Sequence, residues 1–282
     1  MIVDAHHHLW NPARGDYGWM PPGDPVLSRV YRLPEAEAVF RDHGVAQSVI
    51  VQAAPTIAET EYMLGIADSS DVIAGVVGWV DFENRDDRRQ LERLAGHPKF
   101  RSVRPMVQDI ADDDWLRRPD IRWAFDAVRD LDLAFDALGF PRHASRFLEI
   151  FQLYPDIRAV IDHCLKPEIR AGHFDGWARD MERLARETSV HVKLSGLVTE
   201  AGADCSASAL KPYVDHVLAT FGPERVMWGS DWPVSRLRME YGEWLASARA
   251  LTSHLGTDAQ TALFSTNARS FYRLPPSPGQ PD

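Results

Sequence analysis

Two histidines near the start of the chain are spaced so that one metal ion could bind both of them. His6 and His8 directly follow the apolar residues 2–5, and His7 lies between them. If residues 2–5 form a β-strand, its side chains alternate between two faces, so His6 and His8 share one face. Imidazole binds zinc, copper, iron or nickel, and such sites usually add a third imidazole and a carboxylate. A chance run or an affinity tag is the competing interpretation, although a tag is usually longer and does not follow an apolar strand.

Other polar or metal-capable side chains stand at the ends of short apolar runs farther along the chain. The set comprises Gln52, Trp79, Asp81, Arg104, Asp136, Asp162, His163, Lys193, Ser195, Ser230 and Asp231. His163 and Asp231 are the candidates for the missing imidazole and carboxylate. Each also has a simpler interpretation, because His163 could cap a loop and Asp231 stands before Trp232 and Pro233, a pattern that suits a turn.

Strand-like and helix-like segments alternate along the whole chain. Short apolar segments predict eight β-strands at 2–5, 47–52, 72–80, 102–105, 133–136, 158–162, 190–194 and 225–228. The segments between them predict helices at 34–43, 58–69, 85–95, 119–130, 142–154, 174–187, 207–221 and 243–255. Eight such units predict an α/β fold, a (β/α)8 TIM barrel. The competing doubly wound sheet would favour a glycine-rich phosphate turn after its first strand, where this chain has histidines.

The predicted barrel determines where the strand-end residues would meet. Active sites of barrel enzymes lie at the carboxyl ends of the strands. His6, His8, His163 and Asp231 would therefore converge there, although long stretches of sequence separate them. A site with three imidazoles and one carboxylate follows from this arrangement.

Some of the other strand-end residues have purely structural interpretations. Arg104 and Lys193 could be ion-pair partners of Asp136 inside the barrel. Asp162 and His163 are adjacent and so point to opposite sides of their strand, which would let Asp162 accept a hydrogen bond within the sheet. These alternatives remain open at the level of the sequence.

The composition of the chain narrows its partners and its compartment. The formal net charge is −10 and 45% of the 282 residues are hydrophobic, so the chain can build a large core but offers no basic surface for nucleic acid or anionic membranes. We expect neither a signal peptide nor a membrane span, and the two cysteines fit a reducing compartment. We expect a cytoplasmic protein that acts on a small molecule, with one domain at 1–272 and a disordered tail at 273–282. Its oligomeric state stays open.

Five sequence motifs, taken together, resemble a known family. They are residues 3–10, 103–105, 161–163 with 166–167, 193–200 and 229–233. In this order they resemble the amidohydrolase superfamily, and within it the amidohydrolase-related (amidohydrolase 2) lactonase branch with its L-fuconolactonase- and L-rhamnonolactonase-like enzymes. The resemblance extends to about Tyr272. One departure is Cys164-Leu165, where the family often has Leu-Gly before the Lys-Pro pair, so the loop that carries Lys166 is expected to differ locally.

The resemblance implies a metal centre and a reaction. It implies a (β/α)8 hydrolase in which His6, His8, His163 and Asp231 surround at most one divalent ion, with zinc as the expected ion. The reaction is then the opening of a sugar-acid lactone to the aldonate. Asp231 would serve as general base, and without a metal ion His163 and Arg104 would hold the developing oxyanion by hydrogen bonds. The substrate-pocket walls are expected to be Trp10, Gln52, Trp79, Asp136 and Trp232, with ordinary packing as the alternative for each.

Two other functions remain open for the same fold. Related barrels with the same opening histidines include metal-dependent decarboxylases of aromatic or muconate-like acids, which would use the same histidines and Asp231. A non-catalytic barrel that only binds a small molecule is the other alternative. A requirement for zinc with release of carbon dioxide would favour the decarboxylase, and ligand binding without turnover would favour the binding protein.

Overall fold

Eight parallel β-strands form the centre of the molecule, in a computed structural model that describes residues 1–276. The strands are β1 (Ile2–His7), β2 (Val45–Val51), β3 (Ile73–Gly78), β4 (Phe100–Val103), β5 (Ala134–Ala137), β6 (Arg158–Ile161), β7 (His191–Leu194) and β8 (Val226–Trp228). They follow one another around the sheet in chain order. Each predicted strand is present, and the (β/α)8 barrel prediction is confirmed.

The barrel closes where the chain leaves β8 and meets β1. An isolated parallel bridge joins His7 to Trp232, four residues beyond the end of β8. The His8 N–H donates to the Trp232 carbonyl at 2.7 Å, and the Asp231 N–H donates to the His6 carbonyl at 2.8 Å. These bonds lie at the carboxyl end of the sheet. Closure of the barrel therefore brings Asp231 beside the opening histidines.

Helices cover the outside of the sheet. They are α1 (Leu33–His43), α2 (Ile57–Asp68), α3 (Arg88–Ala95), α4 (Arg122–Asp130), α5 (Ala144–Leu153), α6 (Asp175–Glu187), α7 (Leu197–Ala201), α8 (Ala207–Phe221), α9 (Tyr241–Leu251), α10 (Thr257–Thr261) and α11 (Asn267–Phe271). Most predicted helices agree with these bounds within three residues. Helices α7, α10 and α11, with a π-helical turn at Ala262–Thr266, were not predicted. Within residues 1–276, no helix combines the length and apolar character that a membrane crossing requires.

The end of the described chain closes the bottom of the barrel. Phe271, Tyr272 and Leu274 form one apolar cluster with inward-facing strand residues such as Val3 and Val49. Leu274 is buried although the sequence placed residues 273–282 outside the domain. Residues 277–282 of that expected tail lie outside the described part of the chain. The C-terminal segment thus fills the end of the barrel opposite the histidines.

A long irregular segment after β1 covers the open end of the barrel. The Trp10 ring meets Tyr31 edge to face at 5.5 Å between centroids, and its N–H donates to the Arg29 carbonyl. The Trp19 N–H donates to the Ala53 carbonyl at 2.5 Å, while 38% of Trp19 stays exposed. Aromatic side chains therefore fix this segment beside the carboxyl ends of the strands.

Candidate active site

The opening histidines lie buried at the carboxyl end of β1. His6 Nε2 lies 3.2 Å from His8 Nε2, so the two rings share one face as the alternation predicts. His7 points the other way, where its Nε2 contacts Ser48 Oγ at 3.1 Å and its ring packs on Phe40. Burial lowers the pKa of His7 to about 3 and holds the pKa of His6 well below its ordinary value. Both imidazoles are therefore neutral at pH 7.

His163 reaches the site from a left-handed turn directly after β6. His163, Cys164, Leu165 and Lys166 all have positive φ angles, between 49° and 62°. Left-handed backbone costs about 1–2 kcal/mol per non-glycine residue. The turn is held by the Lys166 N–H, which donates to the His163 carbonyl at 2.8 Å, and by the Trp177 indole, which donates to the Cys164 carbonyl at 2.7 Å. The chain thus adopts glycine-like torsions here without glycine, and these hydrogen bonds hold the strained turn that carries His163 to the site.

Asp231 places one carboxylate oxygen against three imidazoles. Its Oδ1 lies 3.4 Å from His8 Nε2, 3.8 Å from His6 Nε2 and 3.9 Å from His163 Nε2. Burial alone would raise the pKa of Asp231, but His163, His8 and Lys166 outweigh burial and lower it. Burial lowers the pKa of His163 to about 4, although Asp231 partly opposes this. At pH 7 the centre therefore holds an ionised carboxylate beside the neutral imidazoles of His6 and His163.

The donor set fits a divalent metal ion. His6, His163 and Asp231 each offer one ligand atom, and these atoms all lie within 4.8 Å of one another. The His8 Nδ1 lies 2.8 Å from the Val51 carbonyl, which can accept only an N–H and so leaves Nε2 free to bind a metal. Ser195 Oγ lies 2.9 Å from His163 Nδ1 and can accept a proton in the same way.

The remote nitrogen of His6 completes this pattern. Asp162 Oδ1 is buried and lies 3.5 Å from His6 Nδ1 and 3.0 Å from the Lys193 ammonium. A proton on Nδ1 would serve this oxygen and leave Nε2 of His6 as a ligand. Lys193 Nζ also lies 3.1 Å from His6 Nδ1, so the orientation of this ring depends on the charged groups beneath it.

A buried network of charges supports the site from inside the barrel. Lys193 Nζ contacts Asp136 Oδ2 at 2.5 Å and Asp162 Oδ1 at 3.0 Å, and the Tyr272 hydroxyl donates to Asp136 at 2.7 Å. Arg104 Nη1 donates to Asp162 Oδ2 at 3.0 Å. Burial would raise the pKa of Asp162, but Lys193, His6 and Arg104 lower it well below its ordinary value. Lys193 therefore pairs with Asp136 as the structural interpretation predicted, whereas Arg104 pairs with Asp162.

A cavity of about 230 Å³ opens onto this centre. Of the predicted site residues, those lining it are His8, Trp10, Arg104, His163 and Asp231. His6 lies beneath them at the bottom of the site. The remaining walls of the cavity include apolar side chains from the loops. The cavity therefore admits a small molecule with one polar end.

Four of the predicted pocket walls lie elsewhere. Gln52 is fully buried and donates its amide N–H to the Arg104 carbonyl at 2.6 Å, and Asp136 faces Lys193 in the barrel interior. Trp232 is buried against Tyr31, with ring centroids 5.1 Å apart. Trp79 lines a neighbouring cavity. The position of these residues at the strand ends predicted the face of the sheet on which they lie, but not their depth along the barrel axis.

Polar residues that the sequence did not assign also line the cavity. They are Gln108, Lys166, Thr199 and Glu200. The Lys166 ammonium donates to Gln108 Oε1 at 2.6 Å, so Lys166 reaches the cavity despite the Cys164-Leu165 departure. Burial raises the pKa of Glu200. Thr199 lies in α7 and Gln108 in a 3-10 turn at Val107–Asp109, and the fold brings both to the cavity.

The comparisons with known proteins agree with this geometry. Residues 3–274 match the family model described as Amidohydrolase. The L-fucono-1,5-lactonase of Burkholderia ambifaria is 43% identical over 276 residues, which cover 96% of this chain and 95% of that protein. The L-fucono-1,5-lactonase of Burkholderia multivorans is 33% identical over 291 residues, which cover 97% of this chain and 96% of that protein.

A solved structure extends the similarity to the whole fold. The crystal structure of a Burkholderia multivorans amidohydrolase with bound zinc matches with a TM-score of 0.89 and 30% identity, and the match covers 98% of this chain and 100% of that one. Three imidazoles and a carboxylate at the carboxyl end of an eight-stranded barrel accompany a family match over nearly the full length. The chain therefore belongs to the amidohydrolase family.

Proposed function

We propose that this protein hydrolyses a sugar-acid lactone of the L-fucono-1,5-lactone type to the open aldonate. The observation that carries the proposal is an ionised Asp231 that faces three imidazoles at the base of a small cavity. Two relatives that match over most of their length are L-fucono-1,5-lactonases. The cavity of about 230 Å³ suits a single sugar ring better than a larger ligand, since small-molecule sites usually measure about 300–1,000 Å³.

Asp231 acts as general base and then as general acid. Its carboxylate accepts a proton from the attacking water while the water oxygen bonds to the lactone carbonyl carbon. When the bond between that carbon and the ring oxygen breaks, Asp231 returns the proton to the ring oxygen. The products are a carboxyl group and a free hydroxyl, and the carboxyl group ionises at pH 7. The lowered pKa of Asp231 keeps the base ionised in the free enzyme.

Without a bound ion, His163 and Arg104 stabilise the negative charge that develops on the carbonyl oxygen, with the His163 proton on Nε2 and the Ser195 hydroxyl donating to Nδ1. Both line the cavity, and Arg104 is held in place by Asp162 and by the Gln52 carbonyl. A guanidinium fixed in advance stabilises an oxyanion without reorganisation during the reaction. Trp10 forms an apolar wall beside His8, with their ring centroids 5.9 Å apart, and packs against the sugar.

His6, His8, His163 and Asp231 would hold a single divalent ion. Zinc is the ion we propose, because imidazole and carboxylate donors in a compact set of four suit it. When bound, such an ion lowers the pKa of water or polarises a carbonyl group.

A panel of aldonolactones, assayed by acid release with and without chelator, tests the proposal. We expect hydrolysis of six-membered lactones of deoxy sugars, with L-fucono-1,5-lactone among the best substrates. Chelation followed by readdition of zinc measures the contribution of the ion, and metal analysis of the purified protein identifies it. Absence of lactone hydrolysis, together with zinc-dependent release of carbon dioxide from aromatic acids, would instead favour the decarboxylase alternative.

A further inference from the structure

A second and larger cavity, of about 490 Å³, lies beside the proposed active site. It sits at the same end of the barrel, because its walls include residues that follow β2, β3 and β4, such as Pro55, Trp79 and Pro105. Trp19 and Met106 line both cavities. The two spaces are therefore neighbours with a shared wall, and a ligand that enters one can extend along that wall into the other.

The lining of this second cavity combines aromatic faces with polar groups that can form further hydrogen bonds. Trp19, Trp79 and Phe82 supply the aromatic surfaces. Within residues 1–276, the Trp79 indole N–H makes no hydrogen bond to protein, half-buried Asp81 has no ion-pair partner, and exposed Asp109 accepts only the Gln108 amide N–H, at 3.3 Å. Asp81 Oδ1 accepts only the Glu83 N–H, at 2.9 Å. One free donor and two carboxylates without a cationic partner thus border an apolar surface.

These groups select the chemistry of the ligand. Unpaired carboxylates repel an anionic group, because bringing like charges together is unfavourable where water is partly excluded. A cation would suit the carboxylates and the aromatic faces, but it has no lone pair to accept the Trp79 N–H. A hydroxyl group both donates and accepts. A ring with several hydroxyls and an apolar face is therefore the ligand that satisfies all three groups.

We propose that the second cavity binds a neutral sugar ring linked to the lactone, so that lactones derived from disaccharides are substrates. This inference rests on the proposed function of the first cavity. The volumes agree with it, since the first cavity is small for a ligand site and the two together fall within the usual range of about 300–1,000 Å³. The lactone occupies the space over Asp231, and the second ring lies beyond Trp19 against Trp79.

Two substitutions test the proposal through substrate preference. Glycosylated lactones of several linkages, made by oxidising the reducing ends of disaccharides, are compared with the unsubstituted lactone by kcat/KM. In Trp79→Ala the ratio of the two kcat/KM values should fall about tenfold, because the stacking surface is lost. Asp81→Asn keeps the acceptor for the Glu83 N–H and should lower the ratio several-fold. Asp86→Asn, which removes an exposed charge from the same loop without touching the cavity, is the matched control.

Direct binding separates this proposal from the proposed function. Methyl glycosides of neutral sugars are titrated against tryptophan fluorescence, with tetramethylammonium as the cationic probe. Saturable binding of a glycoside that Trp79→Ala abolishes supports the second site, even if no lactone is hydrolysed. Hydrolysis of the simple lactone with no turnover of any glycosylated one, no glycoside binding, or preferential binding of tetramethylammonium would each overturn it.

Discussion

Asp231 combines two properties that a general base needs, namely ionisation at neutral pH and protection from bulk water. The residue is 4% exposed, and the surrounding imidazoles keep the pKa of its carboxyl group low despite this burial. The neutral His163 beside it can accept or donate a hydrogen bond, depending on which ring nitrogen carries the proton. The chemistry therefore resides in one carboxylate whose environment is fixed by the ends of β1, β6 and β8.

Replacement of Asp231 by asparagine tests this assignment. Asp231→Asn removes the proton acceptor but keeps the shape of the side chain, so kcat for the best lactone should fall by about 10²–10⁴-fold. Melting temperature and circular dichroism should stay close to those of the wild type. Asp112→Asn, an exposed residue outside both cavities, serves as control. Near-normal turnover by Asp231→Asn would refute the proposed mechanism.

Glu59 provides a pH-dependent test of stability at a single residue. Its Oε2 accepts the N–H groups of Ala53 and Ala54 at 2.9 and 2.6 Å, and burial raises its pKa from 4.5 to about 7. Because the folded-state pKa is raised, the stabilising contribution of Glu59 is present below pH 4.5 and is lost as pH rises towards 7. Relative to Glu59→Gln, the wild type should lose about 3 kcal/mol of unfolding free energy across this window.

Urea denaturation of both proteins at several pH values measures this difference. The gap between the two unfolding free energies should change between pH 4.5 and 7 and stay constant at higher pH. A gap that is independent of pH would show that Glu59 titrates at its ordinary pKa.

At the scale of elements, two backbone segments determine where His163 points. One is the left-handed turn that follows β6, and the other is Gly196 at the start of α7, with a φ angle of 68°. A Cβ atom at Gly196 would lie 2.6 Å from the His163 ring. The absence of a side chain at Gly196 thus leaves room for the imidazole.

Gly196→Ala should therefore displace His163 and lower kcat by at least tenfold. It should also destabilise the protein by about 1–2 kcal/mol, because alanine is strained at positive φ. Gly172 has a similar φ of 69°, but a Cβ there meets nothing within 4 Å. Gly172→Ala should show a similar stability cost with kcat unchanged. If both variants keep full activity, the contact between Gly196 and His163 does not position the ring.

The sequence predicted the helices and strands well, but it predicted poorly how deep in the barrel the site residues lie. Eight apolar segments with helices between them sufficed for the strand order, because buried parallel strands have a recognisable pattern. Asp136 and Gln52 were expected in the pocket, yet both point into the barrel or along the sheet. The alternation of side chains along a strand predicts the face of the sheet on which a residue lies, but not its position along the barrel axis. The five-residue helix α11 was not predicted, because its position depends on packing against the inward-facing strand residues at the bottom of the barrel.

At the scale of the whole molecule, the barrel interior contains charges instead of a purely apolar filling. Lys193 and Asp136 are both 0% exposed, and the pair is completed by Asp162 and by Tyr272 from the C-terminal segment. Burying a charge is costly unless it is paired. The network therefore links the floor of the site to the segment that closes the opposite end.

Lys193→Met leaves two buried carboxylates with one cation fewer and should destabilise the protein by about 3–5 kcal/mol. Lys193→Met combined with Asp136→Asn should recover part of this loss. Lys211→Met removes an exposed lysine that pairs with Asp215 on α8, and it should change stability by less than about 1 kcal/mol. Chemical denaturation measures all three, and equal effects of the two single variants would contradict a structural role for the buried network.

The hydrogen bonds between His8 and Trp232 and between Asp231 and His6 join the two ends of the sheet. The catalytic carboxylate and the opening histidines thus lie on opposite sides of the seam, which is the contact between the segment after β8 and β1. This contact joins the last strand in the chain to the first. A partly folded molecule with seven strands assembled but an open seam has every strand-end residue except the base in place. Recovery of turnover during refolding should therefore report when the contact between β8 and β1 forms. It should lag behind the recovery of the helical circular dichroism signal.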